Sequence, residues 1–528
     1  MKKYLIDRKR IILIGVLVMV MTTIPYLIAF ANQGDGWQFT GFLIGVEDGN
    51  SYIAKMLSGA AGDWLFRSPY SAETQRGVIA FLPYLILGKL SGGAAQHEQL
   101  VVLFHLFRIF SGVLVTLAIY DFTALFIDKS TRREWTLLVI LLGGGLGWVI
   151  ALAGQKNLLG SVPLDFLSPE SFGFLGLFGL PHLTAARALL FWGAAMYLRK
   201  ENGLKTGLAW TLMVLFQPLY ILVIWLVVGL HSLADYLFHR FDRIPGDSSW
   251  SFSGSYLRNA LVAGLVSCPL VIYTAIQFYL DPYLAAWTSQ NSLPSPHWVH
   301  YLIAYGLVLP MAVGGILKLF RRDFPLGLFL ACWVLAFPIL VSAPLPTQRR
   351  LAEGIWVILV ISFFAFFREK TKIPLYGKIS AGLLFPTAIF LVWGAAARAA
   401  RPSTPIFITT EKVEAYLALQ GIAPPESIVL SSYAAGNSLP AWAPVTVIQG
   451  HGPETINLLT WQSELEEYFL SNQGNTDCGD YFSAREINYL FWGPDETAVW
   501  NWNPDLKSCL RQVYNSKGYA IYKVRELE

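Results

Sequence analysis

The sequence predicts an all-α polytopic membrane bundle of about eleven transmembrane helices with added juxtamembrane helices, followed by a small α/β domain outside the membrane. Three observations carry that expectation. The 528-residue chain is 54% hydrophobic and 14% charged, with a mean hydropathy of +0.48, against about 25% charged residues in soluble globular chains. Apolar stretches recur near 11–30, 78–91, 99–127, 134–154, 181–198, 205–217, 219–238, 256–280, 298–320, 325–343, 351–367 and 375–398. After Arg401 the composition changes: Pro402, Pro405, Pro424 and Pro425 punctuate a chain of mixed polarity. Residues 1–400 are therefore the expected transmembrane domain, and 401–528 the extracytoplasmic α/β domain.

The first run, Ile11–Phe30, follows Lys2, Lys3, Arg8, Lys9 and Arg10 and ends near an Ala29–Phe30–Ala31 sequence, as a secretory signal would. A signal core is about 7–15 residues long and a span about 20, so this run reads as an uncleaved first helix. Lys and Arg then set the topology, because they concentrate in cytoplasmic loops. They cluster in 1–10, 128–133, 199–205, 239–258, 318–322 and 368–372. Before residue 399 the other side carries few, among them Arg67, Arg76, Lys89, Lys156, Arg349 and Arg350. All six basic loops lie inside if 78–91 does not cross and if 205–238 is two helices turning at Gln217–Pro218. Pro83 and Gly88 make 78–91 a poor span. The chain then reads as a multi-pass protein of the cell (plasma) membrane, with a cytoplasmic N-terminus and long outer loops at 31–98, 155–180 and 281–297. Loops of that length tend to carry function.

In the C-terminal part, strands are expected at 427–431, 445–449, 487–492 and 519–524, with helices at 410–421 and 456–470. No Gly-rich phosphate fingerprint opens a helix there, and no nucleic-acid partner is expected. Of the four cysteines, Cys268 and Cys332 lie in apolar runs. Cys478 and Cys509 form a disulfide if this region lies outside the cytosol, or else are two free thiols.

The outer loop 31–98 contains GVEDGNSYIAKM. Glu47 and Asp48 precede a helical pattern that puts Tyr52, Met56 and Ala60 on one face and Ser51, Lys55 and Ser58 elsewhere. This reads as an amphipathic helix lying along the membrane interface, with Asp48 or Asn50 as its N-cap. A helix N-terminus favours negative charge. An ionised carboxylate there can take a proton from an attacking hydroxyl or ligate a divalent cation, but a cap with a solvated neighbour is the blander alternative. Asp63 follows in the same loop. Asp165 and Glu170 lie in the second outer loop, just before the span that starts at Pro181–His182. Arg349 and Arg350 sit on the outer side, and Arg108, His105 and Arg187 near the outer ends of spans. Arginine grips phosphate bidentately; headgroup contact and snorkelling are the alternatives.

These features in this order resemble the GT-C superfamily of membrane glycosyltransferases, such as the protein O-mannosyltransferases and the lipid A aminoarabinose transferases. Glu47–Asp48 with Tyr52 is similar to the acidic motif that opens the family's first outer loop, with the acids in reversed order. GDWLFRSPYS resembles its glycine–acid–tryptophan segment. LFRIFSGVLVTLAIYDFTALFIDKSTRR resembles its next span, with Arg108 at the leading arginine. The element Gly450–His451–Gly452–Pro453–Glu454–Thr455 resembles that of an uncharacterised bacterial subgroup. The resemblance covers about residues 1–240. It implies a polyprenyl-phosphate sugar as donor, an acceptor that is a glycan, lipid or protein of the cell envelope, and inversion at the sugar. Asp48 would be the base or a metal ligand, supported by Glu47. Glu170 or Asp165 would be the second-loop acid, with Glu170 a further metal ligand. Arg349, Arg350 and Arg187 would hold the donor phosphate, and Arg108, Tyr52 and His182 would line the substrate site. A divalent cation, Mg or Mn, would be the one candidate cofactor. His451 and Glu454 would contact the acceptor or merely shape a strand-to-helix turn. A transporter or flippase of lipid-linked sugars and a non-catalytic membrane scaffold are the rival readings. The first would call for two similar halves, which the sequence lacks.

Overall fold

The computed structural model describes residues 2–34, 36–241, 254–368, 370, 372–471 and 478–525. Within the basic loop 239–258, Arg243 and the rest of 242–253 lie outside the described residues, as do 369 and 371 in the loop 368–372. The chain divides into two compact units. The first holds residues 1–24, 106–275 and 292–395, and the second 25–105, 276–291 and 396–528.

The first unit is helical. Its core runs through Phe191, Tyr197, Trp210, Ile224, Phe329, Trp333, Ile358 and Phe363, all fully or almost fully buried. The helix Ile355–Phe366 is apolar and buried on every side, as suits a central element. Gly315 lets the helix Leu309–Arg322 approach it, since a Cβ there would lie 1.8 Å from the Ser362 carbonyl oxygen. The run 205–238 is two helices, Gly203–Phe216 and Tyr220–Arg240, parted at Gln217–Pro218.

Six described helices are long and apolar enough to cross a membrane, seven if the pair Val299–Tyr305 and Leu309–Arg322, bent by 71°, is one span. Eleven were expected. Several apolar runs end early: Ser130–Leu142 has 13 residues, Gly203–Phe216 has 14 and Ile355–Phe366 has 12, against about 20 for a straight span. The run 134–154 breaks at Gly143–Gly145. There a Cβ on Gly144 would meet Thr387, and one on Gly145 would meet the Ala304 backbone at 2.7 Å.

The second unit contains a five-stranded sheet, ordered Thr446–Val447, Ile428–Leu430, Tyr489–Trp492, Tyr519–Val524, Leu510–Ser516. The first three are parallel, and the last two pair antiparallel. The four strands expected from sequence are present; Leu510–Ser516 is the fifth. Helices Thr410–Ile422 and Leu458–Ser471 fall where their patterns placed them. Cys478 and Cys509 are joined in a disulfide within a core of Phe469, Trp492, Trp500 and Trp502.

The same unit holds the helix Val46–Ala60. The stretch 78–91 forms only a short helix, Leu82–Gly88, packed on it. The crossing is backbone to backbone: a Cβ on Gly88 would lie 1.7 Å from the Met56 carbonyl oxygen, and one on Gly59 2.1 Å from that of Leu85. Gly88→Ala is therefore expected to cost about 1–3 kcal/mol by overpacking, read as a lower thermal midpoint in detergent. An unchanged midpoint would show that the crossing relaxes freely.

Candidate active site

Helix Val46–Ala60 begins after Gly45, whose φ of 55° and ψ of 48° are left-handed, a conformation glycine adopts cheaply. The cap is thus Gly45, not Asp48 or Asn50. Glu47 and Asp48 occupy the first turn, where free N–H groups and the helix dipole favour negative charge. The helix is also not an interfacial amphipath with a solvated polar side: Asn50, Ser51 and Lys55 are buried along with Ile53, Met56 and Leu57.

Residues three or four apart share a helix face, so Asp48, Ser51 and Lys55 form one row. The turn Gly450–Thr455 lies against it. Thr455 closes this turn: its Oγ1 accepts from the backbone N–H of Gly450 (3.1 Å) and His451 (3.2 Å) and donates to the Tyr70 carbonyl (3.0 Å). A Cβ on Gly450 would lie 2.4 Å from the Gly436 backbone, so a close approach requires glycine there.

The two rows interlock. Lys55 Nζ lies 2.6 Å from Glu454 Oε1 and also donates to Ser51 Oγ. Ser51 Oγ donates to Glu454 Oε1 at 2.5 Å, and Ser68 Oγ to Oε2 at 2.6 Å. Lys55 also lies 4.6 Å from the Phe81 ring centre and 5.3 Å from that of Phe66, which favours a cation. Lys55 and Glu454 are 1% and 2% exposed. Burial alone would raise the Glu454 carboxyl, but Lys55, His451 and the hydrogen bonds from Lys55 and Ser51 outweigh it and hold it down to about 2. One turn back, His451 Nε2 lies 3.2 Å from Asp48 Oδ1, and its Nδ1 lies 3.7 Å from Glu454 Oε1. Tyr433 Oη donates to Glu47 Oε2 at 2.9 Å. Burial, then the charge of Glu47, pushes the Tyr433 phenol up. The Asp48 side chain is 57% exposed and that of His451 6%. The result is an accessible carboxylate with a buried imidazole and a buried ion pair stacked behind it.

Tyr52 packs in an aromatic stack, its ring 4.8 Å from Tyr84 and 6.0 Å from Phe104. His105 Nε2 lies 2.9 Å from the Gly41 carbonyl.

The remaining candidates belong to the first unit. Arg187 makes a two-point contact with Glu353, Nε to Oε1 at 2.5 Å and Nη2 to Oε2 at 2.7 Å, and Nη2 also donates to the Pro169 carbonyl. A small cavity is lined by Arg187, Glu353, Glu170 and Trp356. Arg350 Nε lies 4.0 Å from Glu170 Oε1. Burial raises the Glu170 carboxyl, opposed by Arg350. Burial lowers the Arg349 guanidinium, opposed by the charge of Glu170. Asp165 accepts from Thr387 Oγ1 (2.8 Å) and the Gly147 N–H (3.1 Å), tying down the start of the helix Gly147–Leu152. Arg108 is buried and donates to Thr22 Oγ1, Thr23 Oγ1 and the Leu177 carbonyl. His182 is half-buried on the first turn of Pro181–Leu198.

No family model and no curated protein matches the chain. Solved structures do. Archaeal oligosaccharyltransferase AglB from Archaeoglobus fulgidus, in complex with an inhibitory peptide and a dolichol-phosphate, superposes with a TM-score of 0.50 at 13% identity, covering 93% of this chain and 70% of that one. The apo form of the Archaeoglobus fulgidus oligosaccharyltransferase gives 0.50 at 12% identity over 92% and 69%. The form tethered to an acceptor peptide with the NVT sequon gives 0.50 at 13% over 98% and 74%. The chain shares the fold of these oligosaccharyltransferase structures. At these identities the likeness is one of fold.

Within this fold, sequence reasoning missed Lys55 and Glu353 as ion-pair partners and left His451 and Glu454 undecided. The signal for the latter pair lay in the spacing: His451 and Glu454 are three apart on a turn, and Asp48 and Ser51 three apart on a helix. For a cation, the residues do not fit. Among the described residues no group of three or more His, Cys, Asp or Glu side chains is placed to hold a metal ion. Around Asp48 the neighbouring acids are already engaged, Glu47 by Tyr433 and Glu454 by Lys55.

Proposed function

We propose that this chain is an integral membrane glycosyltransferase of the cell envelope that moves a sugar from a polyprenyl-phosphate donor to an acceptor hydroxyl on the outer face of the membrane. The N-terminus lies inside and the residues after 400 lie outside. Asp48 is the general base. The acceptor oxygen attacks the anomeric carbon as the bond to the phosphate oxygen breaks. The phosphate leaves with that electron pair, and the acceptor proton passes to Asp48. A single displacement of this kind inverts the anomeric centre. The donor phosphate is read as gripped by Arg349 and Arg350, whereas Arg187 has its fork already filled by Glu353 and also donates to the Pro169 carbonyl. Glu47, held by Tyr433, keeps the first helical turn in shape.

The observation that supports this reading best is the placement of Asp48, an accessible carboxylate at a helix N-terminus with a buried support, within a GT-C fold. The test is transfer of radiolabel by the reconstituted full chain from a panel of polyprenyl-phosphate sugars to membrane glycan, lipid and protein fractions. Labelled acceptor is expected from at least one donor. Binding or flipping of a donor without transfer would replace this reading with that of a transporter, and no interaction with any donor with that of a scaffold.

A further inference from the structure

The geometry points to His451 as the positioning residue of the Asp48 carboxylate, anchored in turn by the buried Lys55–Glu454 pair; this rests on the reading of Asp48 as the base. A general base must hold its lone pair on the reacting proton, and a misplacement of about 1 Å can cost about 10²-fold in rate. A half-exposed carboxylate at the first turn of a helix takes such a constraint from a neighbour that is itself fixed. His451 supplies it. Its side chain is 6% exposed, its Nε2 is 3.2 Å from Asp48 Oδ1, and its ring centre lies 5.4 Å from that of Tyr70. Its backbone N–H is fixed by Thr455. Behind it stands Glu454, which is itself immobile because Lys55 and Ser51 hold Oε1 and Ser68 holds Oε2. The Tyr283 hydroxyl further ties the Glu454 carbonyl at 3.0 Å. A turn needed only for its shape would use the glycines and Thr455. It would have no use for an imidazole aimed at an exposed acid, nor for an ion pair kept wholly from water at considerable desolvation cost.

The test uses the full chain in nanodiscs with nitrogen-15-labelled histidine. His451 is assigned as the ring signal lost in His451→Gln. Asp48→Asn is expected to move the His451 ring nitrogens; unmoved signals would overturn the contact. In sugar transfer from the polyprenyl-phosphate donor found active, His451→Ala is expected to lower kcat by about 10²-fold with KM for the acceptor changed by less than about threefold. His451→Gln, whose amide N–H reaches the Nε2 position, should recover most of that loss. Equal losses in both variants, in step with a lower unfolding midpoint, would make His451 a structural residue and overturn the proposal. If wild type transfers no sugar from any donor, the catalytic reading fails, and the nitrogen signals still decide whether His451 holds Asp48.

Discussion

Lys55→Met is expected to destabilise the protein by about 3–5 kcal/mol, because it removes one partner of a buried ion pair and leaves the other uncompensated. Methionine keeps the unbranched apolar stem of lysine out to the Cε position, so most of the packing beside Phe66 and Phe81 remains. What is lost is the cation on Glu454 Oε1. The carboxylate would retain Ser51 and Ser68 but no charge partner. The double variant Lys55→Met/Glu454→Leu should be more stable than the single one, since it removes both charges together. The wild-type pair also sets a pH window. The Glu454 carboxyl is lowered from 4.5 to about 2 on folding. Its stabilising contribution is therefore complete above about 4.5 and is lost as the pH falls towards 2. Denaturant or thermal unfolding in detergent, read at neutral pH and again below 4, measures both effects. A single variant as stable as wild type, or a double variant less stable than the single, would mean that the pair contributes little.

Much of the fold is legible in the sequence because lipid and β-sheet each impose simple rules. Apolar runs mark the helices, since a chain in hydrocarbon must satisfy its own backbone and hide its polar groups. Gln217–Pro218 marks a turn because proline cannot continue a helix. The strands Ile428–Leu430 and Tyr489–Trp492 read clearly because both are central and apolar. Leu510–Ser516, with the sequence LRQVYNS, is an edge strand on which Arg511, Gln512 and Asn515 are exposed, and edges are where charge and polarity conceal strand character. The number of spans was less legible, because apolarity does not report helix length: Ile355–Phe366 is as greasy as any span yet only 12 residues long. The site was least legible. Helical periodicity placed Lys55 away from the apolar face, and a lysine there is ordinarily solvated. Its partner Glu454 lies 399 positions away, and no local pattern connects them. Arg187 and Glu353, separated by 166 positions, escaped for the same reason.

Asp48→Asn is expected to lower sugar transfer by about 10²–10⁴-fold, the usual contribution of a positioned general base. The amide has the size of the carboxylate, and its oxygen can still accept from His451 Nε2, so the helix start and the Gly450–Thr455 turn should persist. What it cannot do is take a proton. The loss should therefore fall on kcat, with KM for donor and acceptor nearly unchanged, as for an interaction realised only in the transition state. Glu47→Gln serves as the neighbouring control: its Oε1 still accepts from Tyr433, and a reduction well short of that for Asp48→Asn is expected. Arg350→Gln should behave in the opposite way, raising the donor KM, because phosphate is gripped in the ground state too. Since Gly49 follows, Asp48→Asn creates an Asn–Gly sequence prone to deamidation. Intact mass must confirm the amide, and Asp48→Ala provides a form that cannot revert. If both variants transfer sugar at the wild-type rate, Asp48 is not the base. If Glu47→Gln alone abolishes transfer, the base is the other member of the couplet, and the reversed order of the acids is then functional.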